Sequence, residues 1–154
     1  MRRMFLLGLF GCLFLSATCM AAADDGEFRQ IIDKYYEAWN TMKAENAAPF
    51  YAKDANVVFY DVAPMQYKGW NEYQEGAQKN FFDISKTCKL TPNKDLQVTR
   101  QGKVAWTTLT FHLSAALKDG KQMELDCRQT SIWEKRKGKW VIVHEHISVP
   151  LATQ

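Results

Sequence analysis

Three short steps ending in glycine divide the second half of the chain. Gln101-Gly102, Asp119-Gly120 and Lys137-Gly138 interrupt a stretch that turns β-rich near Asp95, leaving runs of about 6 to 16 residues between them. Turns this short join antiparallel neighbours, because a parallel connection needs a crossover of a dozen residues or more. The first half has the other periodicity. Phe28, Ile31, Ile32, Tyr35, Trp39 and Met42 recur at steps of three and four, one apolar stripe of a helix with Asp25 placed as its cap. A short helix over 46–52 can hold Pro49 in its first turn, and 56–62 is rich in β-branched and aromatic residues and reads as a strand. Gly69 opens a further amphipathic stretch through Trp70, Tyr73, Ala77, Phe81 and Ile84. Helices followed by hairpins imply an α+β domain, with the helices on one face of a curved, mostly antiparallel sheet.

The amino terminus sets the expected compartment. Arg2 and Arg3 precede an apolar run over 4–15, and Ala21-Ala22-Ala23 closes a small-residue segment. This is the layout of a secretory signal peptide, with cleavage expected between Ala23 and Asp24 and a periplasmic or secreted product. The apolar run, about 12 residues, is shorter than the 18–20 a spanning helix requires, so no stable membrane anchor is expected after cleavage. The mature domain, 24–154, then has 131 residues, enough for one core. Loss of the two leader arginines leaves 18 basic against 17 acidic residues, with no basic stripe to suit a nucleic-acid surface. The basic group Lys135, Arg136, Lys137 and Lys139 reads as a solvated hairpin tip. Cys88 and Cys127 outlast the leader, and an oxidising compartment permits a disulfide without demanding one. Hairpin counting leaves Cys127 near His112 and Cys88 one strand removed, so their pairing stays open. Three histidines and no Cys/His cluster with ligand spacing make a metal site an unsuitable reading.

The last run, Gly138-Lys139-Trp140-Val141-Ile142-Val143-His144-Glu145-His146-Ile147-Ser148-Val149-Pro150, resembles the terminal strand of SnoaL-like (nuclear transport factor 2-like) proteins. It is also similar to that of the association domain of calcium/calmodulin-dependent protein kinase II. Arg128-Gln129-Thr130-Ser131-Ile132-Trp133, Val104-Ala105-Trp106-Thr107-Thr108, Tyr36-Glu37-Ala38-Trp39 and Gly69 extend the resemblance over nearly the whole mature chain. It implies a cone in which a strongly bent sheet wraps a long helix around a pocket, and members commonly pair as homodimers through their sheets. The fold hosts isomerases, cyclases, scaffolds and binders, so it does not choose among them.

Carried over residue by residue, the basic pocket groups of the kinase association domain fall on Thr108, Ser131 and Ile147, and a pocket histidine on Tyr73. Without those basic groups, the resemblance implies a pocket of Tyr60, Tyr73, Thr108, Thr110, Ser131 and Glu145, suited to a small, mostly apolar ligand and needing no cofactor. An enzyme without a cofactor is the alternative, an isomerase, cyclase or hydrolase. Asp61 or Glu145 would be its base and Tyr73 or Tyr60 its hydrogen-bond donor. The related ketosteroid isomerase adds a protonated Asp to such a pair, a second acid with no identifiable counterpart here. A third alternative is a protein-binding or assembly module. Counting back from a turn that pairs Lys135 with Lys139 puts Ser131, Gln129 and Glu145 on one sheet face. Arg128, His144 and His146 fall on the other, in structural or interface roles.

Overall fold

Apolar spacing over 28–39 becomes helix α1, Asp25–Trp39, and its Phe28, Ile32, Tyr35 and Trp39 are buried as the stripe requires. Met42, expected on the same stripe, lies past the helix end with a left-handed backbone. The computed structural model describes residues 25–151. The expected leader lies outside the described residues. A 3-10 helix, Ala44–Phe50, follows, with Pro49 near its end rather than in its first turn. The expected strand over 56–62 shortens to β1, Val58–Tyr60, and the residues after it leave the sheet. Then come β2, Tyr67–Lys68, and helix α2, Gly69–Ala77, which continues as a π-helical turn, Gln78–Phe82. Phe82 is buried, whereas Ile84 lies past the helical end and is exposed.

The remaining strands are β3, Ser85–Pro92, β4, Gln97–Gln101, β5, Val104–Leu117, β6, Gln122–Arg136, and β7, Lys139–Ser148. They form one seven-stranded, strongly curled and unclosed sheet in the order β2-β1-β7-β6-β5-β3. Strand β4 shares the β3 edge of β5: β3 pairs with 111–117 and β4 with 104–108. Among the strands described, β1 and β7 alone run parallel, and the chain between them supplies the crossover. The long strands β5 and β6 alternate buried and exposed residues along most of their length, one face on the helices and one face outward. The α+β cone expected from the sequence is the observed architecture. Among the described residues no helix is long and apolar enough to cross a membrane.

The last hairpin departs from the expected register in a way that decides which side chains turn inward. Lys137 (φ 49°) and Gly138 (φ 82°) both adopt the left-handed region, the requirement of a two-residue type I′ turn. Pairing therefore starts with Arg136 and Lys139, not Lys135 and Lys139. On its own this would reverse the faces of β7. Val143 then intervenes as an extra residue, since Trp133 pairs with Ile142 but Ile132 with His144. Trp140 and Ile142 point inward before this bulge, and Glu145 points inward after it.

Candidate functional site

Curling of the sheet around α1 leaves a cavity of about 470 Å³. Its walls come from Tyr35, Tyr36 and Trp39 of α1, from 61–64 after β1, from α2 and its π-helical turn, and from inward residues of β3, β5, β6 and β7. Almost every contribution is aromatic or aliphatic, as in Phe81, Leu90, Phe111, Leu113, Leu125 and Ile147. Asp61 is the one charged side chain among the lining residues, and no Lys, Arg or His lines the cavity. Asp61 is half-buried, and its Oδ1 accepts the Val62 amide at 2.7 Å. Burial holds its carboxyl above the usual range, and the Val62 amide and the Tyr73 hydroxyl pull it back in part.

Directly behind the aromatic wall lies a polar layer centred on Glu145, which has no solvent exposure. Tyr51 donates to its Oε1 at 2.7 Å, Gln129 to Oε2 at 2.7 Å and Ser131 to Oε2 at 3.0 Å. Tyr35 donates at 3.1 Å to both oxygens, and Tyr73 reaches Oε1 at 3.4 Å. Every donor is neutral. Burial raises the Glu145 carboxyl above its ordinary value, and the tyrosine, glutamine and serine donors offset part of that rise. The Gln129 amide is fixed in orientation because its oxygen accepts from Tyr36 at 2.6 Å while its nitrogen donates to Glu145. Tyr73, in the cavity wall, stands between Asp61 and Glu145; its hydroxyl is pushed well up by burial and by both carboxylates.

Of the residues singled out in the sequence, Tyr73 and Asp61 line the cavity, and Ser131 and Glu145 form the layer behind it. Tyr60, Thr108 and Thr110 do not line it, a correction with a simple cause. The inward residues of β5 are Ala105, Thr107, Leu109 and Phe111, one position out of phase with Thr108 and Thr110. Thr108 faces outward, Thr110 binds Asp95 at 2.6 Å, and the inward threonine, Thr107, accepts the Trp133 indole at 2.9 Å. In β1 the inward residue is Phe59, so Tyr60 faces out, its ring edge-on to His144 and His146. His144 Nδ1 lies 2.8 Å from the Val58 carbonyl. Arg128 shares that outer face.

Cys88 and Cys127 are both free thiols. Cys88 pairs with Ala115 and Cys127 with Phe111, on opposite edges of β5. Two strand spacings of about 4.8 Å already exceed the Cα separation a disulfide tolerates. Burial raises both thiols to about 11. Among the described residues no group of three or more His, Cys, Asp or Glu could hold a metal ion. Tyr35, Tyr51 and Gln129 carry much of the polar layer without having been singled out as site residues. Tyr35 carries a helical-stripe signal and Gln129 an inward parity, but the convergence of their polar groups on Glu145 is tertiary.

The family model described as SnoaL-like domain matches residues 28–152. No curated protein matches the chain. Among solved structures, the chain is similar to a nuclear transport factor 2-like superfamily protein from Salmonella enterica serovar Typhimurium. That match has 19% identity and a TM-score of 0.76, and covers 84% of this chain and 92% of that one. A candidate calcium/calmodulin-dependent protein kinase II association domain from Xanthomonas campestris is similar at 23% identity and a TM-score of 0.69, covering 80% and 86%. Hexachlorocyclohexane dehydrochlorinase from Novosphingobium barchaimii is similar at 10% identity and a TM-score of 0.71, covering 85% and 89%.

Proposed function

The chain belongs to the SnoaL-like family, and from that premise we propose that it is an exported protein binding one small, largely apolar molecule inside its cone. The observation that carries the reading is the cavity of about 470 Å³, walled by aromatic and aliphatic side chains with Asp61 as a polar point in the wall. A volume in this range, with few polar groups in an apolar wall, is the usual form of a small-molecule site. Export is supported by the three-part leader, and helix α1 begins at Asp25, two residues past the expected cleavage point, so no described element would be lost. The test is native mass spectrometry of the protein purified from its own host. A retained small molecule and a chain starting near Asp24 are expected; an empty cavity that also takes up no apolar probe counts against the reading.

One observation favours a second reading, acid–base catalysis. Asp61 sits at the cavity surface with its carboxyl raised by burial and the Tyr73 hydroxyl beside it, the pairing of a general base with a hydrogen-bond donor. The likeness to a dehydrochlorinase, at 10% identity, carries only the fold. Under this reading Asp61→Asn abolishes turnover of the retained molecule; under the first, no turnover exists to lose.

A further inference from the structure

We propose that the cavity selects a ligand carrying a protonated amine on its apolar body. The inference rests on the binding reading above and adds the charge of the ligand. Asp61 is the one charged group in the wall, and Glu145 stands behind Tyr73 with only neutral donors around it. No Lys, Arg or His in the wall balances either carboxylate. A ligand carboxylate would therefore face two carboxyl groups and no cation.

A neutral apolar ligand fares better but leaves a cost uncompensated. Filling the cavity strips water from Asp61, whose carboxyl keeps only two neutral partners, the Val62 amide and the Tyr73 hydroxyl. An ammonium replaces that water with an ion pair and with up to three N–H donors. The rest of the wall also suits a cation, because the rings of Tyr35, Tyr36, Trp39, Tyr67, Tyr73 and Phe111 all border the space. Aromatic faces attract a desolvated ammonium, and several walls of them hold it without further charge. Burial keeps the Asp61 carboxyl raised in the empty cavity, and an adjacent ammonium is the ligand charge that favours its ionised form.

The experiment uses three probes of one shape: naphthylmethylamine, naphthylmethanol and naphthoic acid, titrated near neutral pH into the mature chain and into Asp61→Asn. Calorimetry gives the affinities. The amine is expected to bind about tenfold or more tighter than the alcohol, and the acid weaker than either. In Asp61→Asn the amine's advantage over the alcohol should shrink below about threefold, because the amine loses its ion pair and the alcohol no longer strips water from a carboxylate. The asparagine oxygen can keep the Val62 bond, and should the variant not fold, the order of the three probes on the wild-type chain still decides. An alcohol that equals the amine, or an advantage that survives Asp61→Asn, overturns the charge preference and leaves cavity binding standing. Failure of all three probes to bind counts against both.

Discussion

A carboxylate with no solvent exposure and no cation beside it is tolerable only where neutral donors replace its water, and Glu145 has five such donors. Replacing it with Ala would strand the Tyr51, Gln129 and Ser131 donors in the core. The expected loss is about 2–4 kcal/mol, read from urea unfolding. The same residue gives the fold a pH signature. Because burial raises the Glu145 carboxyl, the folded chain holds that proton more tightly than the unfolded chain does. Its contribution is complete below the unfolded value of about 4.3 and is lost as pH rises through the folded value. Asp61, raised by burial, has the same sign, and so does His112, raised by Asp126 and Glu124 on the exposed side of the sheet. Asp54, Asp95, Asp119 and Glu124 are lowered, so their contribution falls away in acid, but all lie at exposed, screened positions. The melting temperature should therefore decline as pH rises above the ordinary carboxylate value of about 4.3, and Glu145→Gln, though less stable overall, should flatten that decline. On the outer face the expectation differs. His144→Ala removes the 2.8 Å bond to the Val58 carbonyl and should cost about 1 kcal/mol without altering ligand affinity. Loss of binding at unchanged stability would contradict the outward placement of this ring.

Among the elements, α2 shows how a single missing Cβ shapes the cavity. A Cβ at Gly76 would overlap the Tyr67 ring, which is itself buried and borders the same space. Ala is the better helix former at an interior position, by about 1 kcal/mol. Gly76→Ala should nevertheless destabilise the chain by about 1–3 kcal/mol, because Tyr67 must move. It should also weaken probe binding, which a purely local helix effect would leave alone; calorimetry and thermal melts on one preparation separate the two. The strands show what a sequence discloses and what it withholds. Period-two alternation and the turns at Gly102, Gly120 and Gly138 are local properties, so the hairpins were legible from composition and spacing. Phase is not local. The expected pocket threonines of β5, Thr108 and Thr110, came out one residue off, and Thr107 takes the inward place expected of Thr108. On β7 the inward place of Glu145 was legible, although the turn is one residue shorter than expected, because the bulge at Val143 restores the parity. Asp61 and Tyr73 could be singled out by residue type near a strand end and a helix. The five-donor layer around Glu145 could not, since its members come from α1, the segment after the 3-10 helix, α2, β6 and β7.

At the scale of the whole molecule, the outer sheet face carries one continuous band. Trp106 pairs with Ile132, Ile132 with His144 and His144 with Val58; one step along, Thr108 pairs with Thr130, Thr130 with His146 and His146 with Tyr60. Trp106, Ile132 and Tyr60 remain 36–39% exposed in the single chain, large apolar groups that the helices, packed on the opposite face, do not cover. Joined by ladder pairing rather than scattered, they make the kind of patch that marks an association surface. A closed two-fold pairing of this face with itself is the simplest assembly that covers it, since the same patch on each chain would cover the other and no open surface would propagate. Light scattering at tens of micromolar should therefore give twice the chain mass. Ile132→Glu places a carboxylate at the centre of the band, where pairing of the two faces would strip it of water without a cation beside it. That variant should sediment as a monomer while keeping its far-ultraviolet spectrum, because the side chain already faces solvent within one chain. Its probe affinity should match wild type, since the cavity lies on the opposite side of the sheet. A wild-type chain that stays at monomer mass would remove the assembly, and an Ile132→Glu dimer would move it to another face.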